Sequence, residues 1–199
     1  MNISVILAHP NPKSFNHAIA KSVLQALKEN GHAVYYHDLY AEKFQDISLC
    51  QRKREHSLFQ NDIKTYCVEI SVSEGIVVVH PDWGGQPPVI LKAWIDRVIF
   101  LGANYILRER NGGEITPERF LKAKAVFIFN TSNAGLAKGK EVFDDPLARL
   151  WHGSVFGHCG LQFFHRETFR VIGHSSSEQR RRWLRNVEEI IAEYFPEFA

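Results

Sequence analysis

IVVVHPDWGGQPPVILKAWIDRV, residues 76–98, holds a strand, a corner and a helix in immediate succession. Ile76 to Val79 run without polar alternation, as a strand buried on both faces of a parallel sheet does. The run stops at His80-Pro81, turns through Trp83-Gly84-Gly85 and restarts after Pro87-Pro88. Pro88 suits a first helical turn, where its missing N–H is no loss. Val89, Ile90, Ala93, Trp94, Val98 and Ile99 then recur at helical spacing. Such a unit opens a crevice at the strand's C-terminal end, where open α/β sheets bind ligands.

Outward from this unit, strands alternate with helical patterns. Ile3–Ala8 reads as a strand, and Phe15–Asn30 as a helix with Ser14 as N-cap and Gly31 as its stop. Ala33–Asp38 is a second strand, and 39–56 is polar and irregular. Leu58–Ser71 is a helix feeding strand 76–80, whose own helix runs from 88 to about 101. Ala123–Asn130, helical Asp145–Gly157, strand Gln162–Val171 and the amphipathic helix Ser177–Tyr194 complete the order. This alternation predicts a doubly wound five-stranded parallel sheet with helices on both faces. Its order is either 2-1-3-4-5, which is flavodoxin-like, or a truncated Rossmann order.

No glycine follows the first strand in AHPNPKSFN, residues 8–16, so the dinucleotide fingerprint is absent. That loop offers an anion site instead: Ser14 at the N-cap, free first-turn N–H groups, the helix dipole, Lys13 and His9. A routinely capped helix fits Ser14 equally well. In the 2-1-3-4-5 order, however, loops 9–16, 80–87 and 130–135 meet at the switch point where FMN sits in this fold. His80 either donates to a neighbouring carbonyl or lines that cavity.

The 199 residues are 45% hydrophobic and 23% charged, which fits one domain spanning 1–199. A formal charge of +2 gives no argument for nucleic acid or an anionic membrane. It also argues against an acidic electron carrier that docks on basic partners. Arg180-Arg181-Arg182 reads as a solvated helix face. Cys50, Cys67 and Cys159 lack metal spacing and read as reduced thiols of a cytoplasmic protein. No signal peptide opens the sequence, and no apolar run approaches the ~20 residues a membrane span needs. His152, His158, His165 and His174 match no metal-binding spacing, so no metal site is expected.

VILAHPNPKSFNHAIAKSVLQALKENGHAVYYHDLY and HPDWGGQPPVILKAWIDRV, with NTSNAG and FGHCG downstream, resemble the NAD(P)H:quinone oxidoreductase family. The resemblance covers nearly the whole chain. It implies a flavodoxin-like fold and FMN as cofactor, with FAD the alternative. It places the flavin phosphate near His9, Ser14, Phe15 and Asn16. Pro81, Asp82, Trp83, Gly84 and Gly85 would lie along the ribityl chain and ring. Asn130, Thr131, Ser132, Asn133 and Gly135 would meet the ring's polar edge. The implied reaction is two-step: hydride from NAD(P)H to the flavin, then from the flavin to a quinone or similar acceptor, with ping-pong kinetics. No protein nucleophile takes part.

Two departures from the family stand out. Aromatics are usual where this chain has Gly84 and Gly85, and a Tyr and a His usually follow the third loop, where this chain has Leu136 to Glu141 with Lys138 and Lys140. Two other readings stay open: a regulatory ancillary subunit of a potassium-efflux system, as the resemblance to such subunits implies, or, given Gly84 and Gly85, a member that has lost the cofactor. The resemblance also implies a homodimer that walls the ring, for which Tyr40, Phe44, Phe59, Trp94, Phe100 and Tyr105 are candidate surface.

Overall fold

The computed structural model describes residues 1–44, 61–102, 121–135, 145–157 and 159–197. Cys50, Phe59, Tyr105, His158 and the stretch Leu136 to Glu141 lie outside the described residues. The elements are β1 (Asn2–Leu7), α1 (Phe15–Glu29), β2 (Ala33–Asp38), α2 (Asn61–Val72) and β3 (Gly75–Pro81), followed by α3 (Val89–Trp94), which continues as a π-helix over Ile95–Phe100. Then come β4 (Ala125–Ser132), the short α4 (Pro146–Ala148) with a π-helix over Arg149–Val155, β5 (Phe163–Arg170) and α5 (Ser177–Tyr194). All strand pairs are parallel, in the order β2-β1-β3-β4-β5. The flavodoxin-like order is therefore the one adopted, and the truncated Rossmann order is not.

The unbroken apolar strands follow from burial on both faces. Ile3, Val5, Leu7, Val77, Val79, Phe127 and Phe129 turn to one side, against Ile19, Val23 and Leu27 of α1 and Val187 and Ile191 of α5. Ile6, Ile76, Val78, Val126 and Ile128 turn to the other, against Ile63 and Ile70 of α2, the α3 segment and Trp151. The period-2 alternation of each strand thus feeds two separate cores.

Most boundaries shift by a residue or two from the sequence reading, and two of the shifts bear on the site. Pro88 is the N-cap of α3, outside its first turn. The buried face accordingly begins at Leu91 and continues through Trp94, Ile95, Val98 and Ile99, leaving Val89 70% exposed. β4 reaches Ser132, past the predicted end at Asn130, because Pro81 and Thr131 still pair and Asp82 N–H donates to Thr131 O at 2.7 Å. Both π-helices carry i→i−5 bonds: Leu101 N–H to Asp96 O, and Phe156 N–H to Trp151 O.

At the N-terminal edge of the sheet, Gly75 has no room for a side chain: a Cβ there would stand 2.5 Å from the Phe195 ring. The Phe195 carbonyl accepts from Asn30 Nδ2 at 2.7 Å and from His32 Nε2 at 2.9 Å. The other edge carries the loops.

Candidate functional site

β1 delivers the first loop. Asn11 builds it without glycine: its Oδ1 accepts from Lys13 N–H at 2.9 Å, and its carbonyl from Ser14 N–H at 3.0 Å, with Pro12 fixing φ between them. Asn11 N–H also donates to His9 Nδ1 at 3.0 Å. Burial lowers the His9 pKa, so the ring is neutral with its proton on Nε2, a donor. Ser14 caps α1, its hydroxyl accepting from His17 N–H at 3.3 Å. Ala18 N–H takes the Ser14 carbonyl, which leaves Phe15 N–H and Asn16 N–H without intrahelical acceptors at the positive end of a 15-residue helix.

The side chains of Phe15 and Asn16 do different work. The Phe15 ring meets Phe169 edge-on at 5.9 Å and Trp183 at 5.9 Å, so this residue offers the site its backbone N–H. Arg180 lies over the same ring at 6.0 Å and donates to Ser175 Oγ and Ile172 O. It is therefore a structural cation, whereas Arg181 and Arg182 are exposed, as expected of a solvated face. Asn16 is buried and donates from Nδ2 to Thr131 Oγ1 at 2.7 Å. Its Oδ1 is buried without a partner.

The second loop is a tight corner. Gly85 N–H donates to Asp82 Oδ1 at 2.7 Å, and Trp83 N–H donates to Gln86 O at 3.0 Å. Gly84 and Gly85 take φ of +67 and +80, the left-handed region that glycine enters freely. A Cβ on Gly85 would stand 2.6 Å from Pro146 Cγ, so the corner fits against the start of α4 only without one. That contact, with the two positive φ values, accounts for glycines where aromatics were expected. Trp83 is 48% exposed, its ring 6.5 Å from that of His9.

The third loop closes the arrangement. Thr131 binds the other two loops at once, Asn16 through its hydroxyl and Asp82 through its carbonyl. Ser132 Oγ accepts from Ala134 N–H, and Asn133 Oδ1 accepts from Gly173 N–H at 2.8 Å. Asn133 and Gly135 are exposed at the rim. Asn130, like Phe15, is a predicted site residue whose side chain the structure turns inward. It is fully buried, donates to His80 Nε2 at 2.7 Å and accepts from Arg166 Nε at 2.7 Å.

Beneath the corner lies a polar chain that the spacing of residues did not reveal. His80 is fully buried and donates from Nδ1 to the Pro81 carbonyl at 2.8 Å. Its Nε2 accepts from Asn130 and from Trp151 Nε1 at 3.0 Å. Of the two sequence readings, donation to a neighbouring carbonyl is the one adopted. Burial pushes the His80 pKa down to about 4; the Pro81 bond opposes that shift and the Arg166 charge adds to it. Arg166 continues the chain to Asp145, whose Oδ1 caps α4 at Ala148 N–H. Burial pushes the Asp145 carboxyl up, but Arg166 and the Ala148 bond outweigh it and hold the pKa below the usual range.

Beyond β5 a cavity of about 570 Å³ is lined by Thr168, Arg170, His174, Gln179 and Trp183, among others. The sequence reading missed this fourth loop; its signal is the cap run Ser175-Ser176-Ser177 before α5. Among the described residues no cluster of His, Cys, Asp or Glu is able to hold a metal, and no helix is long and apolar enough to cross a membrane. Cys67 and Cys159 are buried free thiols.

A protein-family profile described as the flavodoxin-like fold matches residues 1–193. An uncharacterized NAD(P)H oxidoreductase of Haemophilus influenzae is 32% identical over 173 residues, 85% of this chain and 83% of that protein. An FMN-dependent NADH:quinone oxidoreductase of Pelagibacter ubique is 27% identical, over 75% of this chain and 78% of its own length. Among solved structures, the NAD(P)H:quinone oxidoreductase from Methanothermobacter marburgensis superimposes with a TM-score of 0.77 at 19% identity, covering 100% of this chain and 99% of that one.

Proposed function

The chain belongs to the family of the flavodoxin-like fold, and from that premise we propose that it is an FMN-dependent NAD(P)H oxidoreductase acting on a quinone-like acceptor. One observation carries the reading: Thr131 joins three loops at the C-terminal edge of the sheet into a single site around α1's free N–H groups. The residues present suit FMN. Ser14, the Phe15 and Asn16 N–H groups and the His9 Nε2 donor suit a phosphate dianion. The unpartnered Asn16 Oδ1 needs a donor, which a ribityl hydroxyl supplies. Pro81 to Gly85 form one wall, and Thr131, Ser132, Asn133 and Gly135 form the other; Asn130 acts from below through His80. The chemistry FMN supplies when bound is two-electron transfer from NAD(P)H to the acceptor. The chain's part is to hold the phosphate and keep the corner rigid.

FAD is the second reading, favoured by the cavity beyond β5, because Trp183 lines it and also touches Phe15 of the phosphate loop. Purified protein should carry flavin absorbance and oxidise NAD(P)H in the presence of a quinone. Chromatography of the released flavin decides between FMN and FAD. Protein that stays colourless and shows no spectral change with excess FMN or FAD overturns the assignment.

The same reading includes a cytoplasmic homodimer. Trp94 and Phe44, two of the aromatics first considered for its surface, are 0% and 7% exposed and belong to the monomer core. The surface left for a partner includes Trp83 and Val89, which flank the glycine corner, Phe100 further along the same helical segment, and the half-buried Tyr40. Sedimentation at micromolar concentration should give twice the chain mass of 22.9 kDa. A monomer with full NAD(P)H oxidation would show that one chain completes the site.

A further inference from the structure

α1's first turn holds a hydrogen-bonded chain of which the flavin reading uses only the first member, Ser14. Ser14 Oγ lies 2.9 Å from His17 Nδ1, and His17 Nε2 lies 3.0 Å from Asp38 Oδ2. The fold brings the three together: Asp38 ends β2 in register with Leu7, the last residue of β1, directly beside the loop that Ser14 closes. Asp38 is fixed from its other side, since Oδ1 accepts from Tyr40 N–H and Ala41 N–H at 3.1 Å each. Its Oδ2 therefore acts as an acceptor and keeps a proton on His17 Nε2.

The remaining freedom is at His17 Nδ1, and it sets the sense of the Ser14 hydroxyl. With Nδ1 bare, the hydroxyl proton points into the imidazole. Ser14 then turns only lone pairs outward and repels an anion. With Nδ1 protonated, His17 donates to Ser14 Oγ from the ring as well as from its backbone N–H. The hydroxyl proton must then point outward, where a phosphate oxygen accepts it, and the imidazolium adds a positive charge balanced by Asp38.

We propose that His17 is a positioning residue for the phosphate of the cofactor: a phosphate bound at Ser14 draws one proton from solvent onto His17 Nδ1, and Asp38 holds the ring for this exchange. The inference rests on the assignment of the flavin phosphate to Ser14. His9 faces His17 edge-on with ring centroids 6.3 Å apart, and burial first, then the charge on His17, disfavour a proton on it. Asp38 is the group facing it from β2, while Lys13 precedes the helix and Lys21 follows one turn on.

FMN and riboflavin, which lacks the phosphate, separate this role from a structural one. Both are titrated against flavin-free full-length protein by fluorescence quenching, for wild type and His17→Gln, at pH 5.5 and 8.5. The substitution should weaken FMN about tenfold at pH 5.5, little at pH 8.5, and riboflavin at neither. The phosphate's own titration cancels in each wild-type-to-variant ratio. Calorimetry in buffers of different ionisation enthalpy should show less proton uptake on FMN binding by the variant. An equal loss for both flavins, a loss independent of pH, or unchanged uptake overturns the inference while leaving the flavin assignment standing. Wild type that binds no FMN overturns both.

Discussion

Between pH 7.5 and pH 4, His80 alone should remove about 3 kcal/mol from the unfolding free energy. In the unfolded chain this imidazole titrates near 6.5, whereas in the folded protein burial holds it down to about 4. Between those values the unfolded state binds a proton that the folded state refuses. Stability is therefore full above 6.5, falls with falling pH, and levels off below 4. The folded ring has nowhere to put the proton: Nδ1 already donates to the Pro81 carbonyl, and Nε2 is pointed at by two donors, Asn130 and Trp151. Protonation at Nε2 would set N–H against N–H, with the Arg166 guanidinium one residue further along. Urea unfolding of wild type and His80→Gln at both pH values tests this. Carboxylates contribute to both proteins, so the difference between their acid losses belongs to His80. Equal losses would mean that the buried ring accepts the proton at no penalty.

Gly85→Val is expected to lower stability by about 3 kcal/mol and to abolish flavin binding. The position requires φ of +80, which a β-branched residue resists, and the new Cβ meets Pro146 Cγ at 2.6 Å. Relief means moving either the corner or the start of α4, and the corner is a wall of the proposed site. Gly84→Ala is the control. Its φ of +67 costs about 1 kcal/mol, but nothing lies within 4 Å of the added methyl, so flavin binding should survive. Thermal unfolding and flavin absorbance of the two variants give both quantities. Equal behaviour would show that backbone strain, and not the Pro146 contact, decides at this corner.

Local chemistry made much of this fold legible. Gly31 before β2 and Asp38 at its end bracket a strand found at Ala33–Asp38, as expected. Ser176 and the amphipathic run after it mark a final helix found at Ser177–Tyr194. Ser14 is a cap in fact, for the reason its position suggested. The parts that were not legible depend on partners distant in sequence. His17 and Asp38 are 21 positions apart and meet only because β2 lies beside β1. Asn130 reads as the strand's last residue, opening the third loop, until pairing with β3 carries β4 past it, and its side chain then meets His80. The glycine corner is explained by Pro146, which no local pattern connects to it. The π-helices follow from i→i−5 bonds that a 3.6-residue period does not announce.

The Phe195 ring seated over Gly75, with Asn30 and His32 fastened to its carbonyl, lies at the end of the sheet away from every loop of the proposed site. The molecule therefore resembles a tool with a fixed handle and exchangeable heads. Among the described residues, its anchorage and its proposed working surface share no side chain. Positions 83, 84 and 135, by contrast, are exposed, and side-chain changes there meet solvent first. A change at Gly75 has no such outlet. An added methyl there strikes the ring of a residue whose backbone carbonyl is held by two hydrogen bonds, and the whole fold bears the consequence.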